Sequence, residues 1–581
     1  MDILDILRKK IMSVVETLEK QELISDGLNK DGIAVETPRD KAFGDLSSNV
    51  AMVLSKQAKS NPRKIAEYFI THFSEDESIE SVEIAGPGFL NFKLRSHCWN
   101  AVIISILQKG KSFGLQQIGT GKTVNVEFVS ANPTGPLHVG HTRGAVFGDV
   151  LANLLEVSGY KVTREYYVND AGSQIDSLAR SAFSRYQEAL GNDTKSDGHE
   201  YPGDYLKQVG EELKNEYGHL LLDADEYLRL DKIKDFTVKK MLKMIREDLA
   251  DLGVVMDNFV SEKALYANGK VEEAVSKLRE MGFIYKGSLE KPKGGNNQDW
   301  SVRKQELFKS SQFGDDTDRP IKKADGSWTY FAPDIAYHHG KLERNYDKII
   351  NIFGADHSGY ISRMKAVVRA FSTGEKDLII RLCQLVKLYK DGKPVKMSKR
   401  AGSYVTLRDL LDEVGKDAIR FLLLMRKNDA PIDFEFTKAV EQTRENPVFY
   451  VQYANARICS ILKRAKESNV NIDDLALSEA DLHLLKNESE LQVIKKLAEW
   501  PSIIIKATSR FEPHRIAFYL FELAQLFHGL QSLGKIDHGV RFIRADDIRL
   551  TKARLAMVRS IQLVIRSGLN IFGIKPVDQM L

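Results

Sequence analysis

Between Thr123 and Asp170 the hydrophobic period of the chain switches from two to about 3.6 and back to two. In TVNVEFV, Val124, Val126 and Phe128 alternate with Asn125 and Glu127, the pattern of a strand. The loop SANPTGPL follows, and from about His138 the spacing predicts a helix that buries Val139, Val146, Val150, Leu154 and Leu155 and stops at Gly159. KVTREYYVND then reads as a second strand ending in a polar turn. Strand, glycine-bearing loop, helix and strand form the opening unit of a doubly wound sheet, where ligands sit at the carboxyl ends of strands.

The loop lacks G-x-G-x-x-G, so a dinucleotide is not its expected ligand. A helix N-terminus still offers free N–H groups and a positive dipole end, which suit phosphate. Imidazoles at His138 and His141 can add donors for the same oxygens, and Gly140 leaves room for a flat base against the backbone. Chemistry at phosphorus depends on positioning and electrostatics and needs no covalent nucleophile. Farther along, PVKMSKRAGS sets Lys396 and Lys399 around Met397 and Ser398, two ammonium groups on a loop able to fold over a triphosphate. Taken singly, H-x-x-H arises by chance and a lysine loop is ordinarily a solvated surface. Their order, each beside an α/β segment, points to one shared site.

A chain of 581 residues exceeds the size of a single core, and several domains are expected. Residues 1–115 mix helical patterns with short apolar runs such as SVEIAGPGFLNFKL, an α+β domain. Residues 116–404 read as an α/β Rossmann-type domain with an insertion at about 190–300, and KIINIF followed by GADHSGY marks its second half. Residues 405–581 turn to long helical patterns, an all-α bundle. No apolar run reaches the roughly 18 residues of a membrane span. Cys98, Cys383 and Cys459 are too scattered for a disulfide framework or a cysteine zinc site, and the N-terminus does not read as a targeting peptide. Net charge is only +4, so any polyanion must be met by local clusters.

EFVSANPTGPLHVGH, REYYVNDAGSQI, YFAPDIAYH, VQYANARI and SGLNIFGI, with HVGH standing for HIGH and KMSKR for KMSKS, together resemble the arginyl-tRNA synthetases of class I. The resemblance covers essentially the whole chain. It implies ATP-dependent activation of L-arginine to arginyl-adenylate, with Mg²⁺ accompanying ATP, and transfer of the arginyl group to the 3′ end of arginine tRNA. Bound tRNA is expected for the first step. It also implies a cytoplasmic monomer with no zinc, no membrane attachment and no obligate protein partner.

On the same resemblance, Ala131, Asn132, Pro133, Thr134, Gly135, Pro136 and Leu137 lead into the HIGH element His138, Val139, Gly140 and His141. ATP falls to His138, Gly140, His141, Lys396, Met397, Ser398 and Lys399, with either Asp356 or His357 of GADHSGY. Arginine falls to Glu127, Ser130, Asn132, His141, Tyr330 and Asp334. Glu127 and Asp334 are expected on the guanidinium, a planar fork of donors that calls for carboxylates; Asn132 and His141 are expected at the amino and carboxylate end. In the N-terminal domain TPRDKAFGDLSSNVA resembles the element that contacts the tRNA corner, with Phe43 free to stack on a base. In the last helices Lys535, Arg541, Arg544, Arg549, Lys552, Arg554, Arg559, Arg566 and Lys575 are candidates for phosphate contact, and Tyr450 and Tyr453 for stacking. A nucleotidylyltransferase would share H-x-G-H but lacks reason for a KMSKR loop or a helical C-terminal domain. The other alternative is a catalytically inactive tRNA-binding paralogue.

Overall fold

The computed structural model describes residues 2–38, 40, 43–192, 200–288, 304–395 and 405–580. Lys396, Met397, Ser398 and Lys399 therefore lie outside the described residues, as do part of the expected insertion and two residues beside Phe43. The chain forms two compact units, one made of 117–442 and the other of 1–116 together with 443–581.

The unit 117–442 is built on a five-stranded parallel sheet. Its strands lie in the order Leu378–Cys383, Lys348–Gly354, Thr123–Glu127, Lys161–Val168 and Asn258–Ser261. The predicted opening unit is there: helix Val139–Val157 starts at His138 and yields to Gly159 at φ +91. Val124, Val126 and Phe128 are buried as the alternation predicts, but Asn125 and Glu127 are buried too. The central strand of a parallel sheet is covered on both faces, so alternation there marks two different buried environments instead of core and water.

Arg143 is 2% exposed, and its guanidinium donates to the carbonyls of Gln384 (2.9 Å), Ala430 (2.7 Å) and Lys427 (2.9 Å). Those bonds pin the helix to segments flanking the hairpin Val386–Lys390 and Lys393–Pro394 that leads to the KMSKR stretch. The strand Ile432–Glu435 pairs in parallel with Val386–Lys390, so 405–442 packs with this unit although the sequence assigns it to the helical bundle. The four-residue strand is too short to interrupt the helical periodicity around it.

The other unit joins a four-stranded antiparallel sheet, in the order Val35–Glu36, Leu46–Ser48, Phe89–Leu94, Ile79–Ala85, to the helices of 443–581. Trp500, fully buried, donates its indole N–H to the carbonyl of Phe113 at 3.1 Å. Among the described residues no helix is long and apolar enough to cross a membrane.

Candidate active site

At the carboxyl end of the central strand the backbone enters the left-handed region twice in succession, at Val129 (φ +68) and Ser130 (φ +41). A β-branched residue pays for such a conformation in strain, which packed surroundings must hold in place. The turn carries the Ser130 hydroxyl back onto the strand: Oγ donates to Glu127 Oε1 at 3.1 Å and accepts the Tyr167 N–H at 3.0 Å. Beyond it Tyr166 donates to the Ala131 carbonyl (2.7 Å), and Asn132, exposed, donates to the Gln174 side chain (2.8 Å). Pro133, Thr134, Gly135 and Pro136 carry the chain across to the buried Leu137.

His138 is the N-cap of the helix in extended conformation. Its Nδ1 accepts the Gly140 N–H at 3.1 Å, and the Nδ1 of His141 accepts the His138 N–H at 3.3 Å, a capping box made of two imidazoles. The rings stack with centroids 3.8 Å apart. With each Nδ1 accepting, each ring carries its proton on Nε2, the nitrogen farther from the backbone. The sequence spacing thus yields two Nε2–H donors fixed by the helix start itself. The chain that follows the KMSKR stretch docks here: Thr406 bridges His138, and the Leu407 N–H donates to the Leu137 carbonyl at 2.7 Å.

Beside this loop a row of polar side chains crosses the sheet, with Asn351, Glu127 and Glu165 buried. Register aligns Asn351, Glu127, Glu165 and Asn258 on four neighbouring strands. Helix Phe331–Glu343 covers them. Lys341, 0% exposed, donates to Glu127 Oε2 (2.6 Å) and Asn351 Oδ1 (2.9 Å). Tyr337 donates to Glu165 (2.9 Å), which also accepts from Asn258 (2.8 Å) and pairs with Arg344. Burial alone would raise the Glu165 carboxyl, but Arg344 and Lys341 hold it down to about 2.

Asp334, one turn before His338 on the same helix, has no such cation among the described residues. Burial and the neighbouring charges of Glu262 and Glu127 push its carboxyl up to about 8. Glu262 is raised as well, chiefly by burial, and accepts the Tyr167 hydroxyl at 2.8 Å. Asp334, half-buried, and Glu262, buried, are thus acids whose charge is poorly tolerated and which no cation among the described residues pairs. Glu262 is absent from the sequence-derived set; its signal was its place at the carboxyl end of a parallel strand, just after Ser261.

The remaining expected residues fall as follows. Tyr330 caps the helix start at 71% exposure, so it and Asp334 share the helix end but not its burial. Asp356 and His357 lie on a short 3-10 turn, both exposed and 3.5 Å apart. Glu127 has both oxygens engaged, by Ser130 and Lys341. Among the described residues one group of potential metal ligands occurs, Glu273, His339 and Glu343, with ligand atoms within 4.8 Å of one another and both carboxylates exposed.

In the other unit Phe43, half exposed, lines a hollow of about 470 Å³ with Phe89 and Asn91. Several of the basic residues assigned to phosphate are engaged within the bundle: Arg554 with the buried Glu490 (2.6 Å), Arg559 with Asp474 (2.7 Å), Arg566 with Asp578 (2.6 Å) and Arg549 with Asp481 (2.6 Å). Tyr450 packs on His528 at 4.4 Å, and Tyr453 lies under Arg457 at 4.7 Å.

Three family models match the chain: the arginyl tRNA synthetase N terminal domain over 5–94, the class I (R) tRNA synthetase catalytic domain over 102–455 and the DALR anticodon binding domain over 451–580. An arginine–tRNA ligase of Cereibacter sphaeroides is 55% identical over 95% of both chains. One of Parvibaculum lavamentivorans is 51% identical over 100% of both. In fold, the Thermus thermophilus arginyl-tRNA synthetase superposes with a TM-score of 0.72 at 20% identity, covering 99% of this chain and 100% of that one.

Proposed function

The chain belongs to the class I arginyl-tRNA synthetases, and on that premise we propose how its own residues divide the work. It is an arginine–tRNA ligase: ATP drives activation of L-arginine, and the arginyl group passes to arginine tRNA. Arginine's carboxylate oxygen bonds to the α-phosphorus as the bond to the bridging oxygen breaks and pyrophosphate leaves. The terminal adenosine of the tRNA then takes the arginyl group, releasing AMP. ATP enters as its Mg²⁺ complex, and bound tRNA is required before activation. The protein works in the cytoplasm.

In this reading the Nε2–H groups of His138 and His141 donate to the phosphates as charge shifts toward pyrophosphate. Lys396 and Lys399 supply the ammonium charges, with Met397 and Ser398 between them, and Asp356 or His357 borders the adenylate. Asp334, joined by Glu262, takes the guanidinium, and Tyr330 closes on it. Glu127 takes the guanidinium together with Asp334, each of its oxygens keeping a free lone pair beside the bonds from Ser130 and Lys341. Asn132 and His141 receive the amino and carboxylate end. The observation that carries the pocket assignment is the pair of acids Asp334 and Glu262, both raised chiefly by desolvation and paired with no cation among the described residues.

The test is ATP–pyrophosphate exchange with each of the twenty amino acids, with and without arginine tRNA. Exchange with arginine alone, and only when tRNA is present, is the expected result. No exchange with any amino acid, with tRNA still bound, would make the chain an inactive tRNA-binding paralogue.

A second result concerns Gly140. A Cβ there would lie 2.9 Å from His138 Cε1 and 3.0 Å from Nδ1, closer than van der Waals contact. The helix backbone is fixed by its own bonds, so the ring must yield. Gly140→Ala is expected to lower kcat/KM for ATP about 10²-fold while leaving KM for arginine within about twofold, because displacing a catalytic donor by less than an ångström costs that much. Equal losses for both substrates would show that the substitution merely unfolds the helix start.

A further inference from the structure

Helix Phe331–Glu343 also packs on helix Lys270–Glu280, where Ala332, Ile335 and Ala336 share an apolar cluster with Val271, Ala274 and Val275. One turn beyond Ile335 the seam is continued by a histidine. His339 is 4% exposed, and its ring packs on Phe371 with centroids 4.4 Å apart. Its Nε2 is buried with no hydrogen-bond partner, and Nδ1 faces only the Glu343 carboxylate, 3.9 Å away and too far for a hydrogen bond. A neutral imidazole carries one proton and one lone pair. In either tautomer the described residues meet neither, an arrangement that calls for a ligand at the nitrogen facing the carboxylate.

Glu273 brings a second carboxylate from the facing helix. One oxygen of each acid and one nitrogen of His339 lie within 4.8 Å of one another. Tetrahedral coordination at about 2.1 Å sets ligand atoms about 3.4 Å apart. The side chains of Glu273 and Glu343 are 47% and 45% exposed, so turning them closes that gap without moving the helices. Lys270 bonds Glu273 Oε2 at 2.7 Å, but a half-exposed pair of this kind is weak and yields to a divalent charge.

We propose that His339, Glu343 and Glu273 bind one divalent transition-metal cation, Zn²⁺ by the chemistry of the donors, which staples helix Lys270–Glu280 to the last turn of helix Phe331–Glu343. A borderline-soft ion takes imidazole and carboxylate together, whereas Mg²⁺ and Ca²⁺ favour oxygen alone. Three protein ligands leave the fourth position to water. The scattered cysteines exclude a cysteine zinc site and have no bearing on this set. The site does not depend on the arginine reading of Asp334.

The experiment is equilibrium dialysis of metal-stripped, full-length protein against Zn²⁺ in excess Mg²⁺, with E273Q, E343Q and H339A beside the wild type. The wild type is expected to take up one equivalent with a micromolar dissociation constant. Each variant is expected to lose that equivalent or to hold it at least about tenfold more weakly. Zn²⁺ is also expected to raise the melting temperature of the wild type and of none of the three, because an ion held only by the folded state stabilises it. Both acids lie at the surface, so E273Q and E343Q keep the fold and decide the matter if H339A does not. Wild-type uptake only at millimolar Zn²⁺ would overturn the proposal and leave two surface acids that gather cations without a site. Uptake unchanged in E273Q and E343Q would overturn it too, since the ion would then sit on other residues.

Discussion

Asp334→Asn is expected to lower kcat/KM for arginine by at least about 10³-fold and to flatten its dependence on pH. The guanidinium of the substrate leaves water on binding beside Asp334, and there it needs a charged acceptor; a neutral amide leaves a desolvated cation without its counter-charge, an imbalance of about 3–5 kcal/mol. The substitution alters almost no volume, so the loss cannot be assigned to packing.

The pH dependence follows from the carboxyl's position at about 8, raised by burial, Glu262 and Glu127. The folded state keeps a proton that the unfolded chain gives up near 3.8, so this group's contribution to stability declines as pH rises from about 4 to about 8 and is level above that. Arginine favours the charged form and must expel the proton. Its KM is therefore expected to fall as pH rises toward about 8, with close to one proton released per arginine at neutral pH. Calorimetry in two buffers of different ionisation enthalpy reads that proton directly. The same logic makes Asp334→Asn melt at a higher temperature than the wild type near pH 8 without arginine. A variant within tenfold of wild type, or a wild-type KM that does not change with pH, would remove Asp334 from the guanidinium.

The legible part of this site was the part whose cause is local. The helix start at His138 follows from an extended cap, two side chains able to accept backbone N–H groups and an apolar stripe that begins at Val139, all within a few residues. The polar row was hidden for the opposite reason. Asn125 and Glu127 alternate with apolar neighbours as a solvated face does, and only the coverage of that face by a helix more than two hundred residues later turns Glu127 inward. Lys341 likewise reads as a surface lysine until its partner is known. Asp334, His338 and Lys341 repeat at helical spacing, yet that stripe resembles a solvated face unless the sheet beneath is polar. The basic stretch of the last helices misleads by the same route. Arg554 and Arg559 add positive charge to any count, and both are held by Glu490 and Asp474, acids distant in sequence.

His138→Asn separates the two jobs of the cap residue. Asparagine is among the best N-caps, and its Oδ1 can accept the Gly140 N–H that His138 Nδ1 accepts at 3.1 Å. It has nothing at the position of Nε2. The helix start is thus expected to survive, with stability within about 1 kcal/mol of wild type, while kcat for arginine-dependent exchange falls about 10²- to 10³-fold, the usual loss for one positioned donor at a transition state. KM for arginine should change little, since the donor acts on phosphate. His138→Gln does the reverse: its amide reaches toward the Nε2 position but surrenders the cap, so some activity returns at the expense of stability. The rings of His138 and His141 are stacked and interlocked through the capping box, so removing both is expected to cost less than the product of the single losses. If kcat instead followed the melting temperature through these variants, with asparagine active and glutamine inactive, the imidazole would be a helix cap alone and the phosphate would have to be met by other groups.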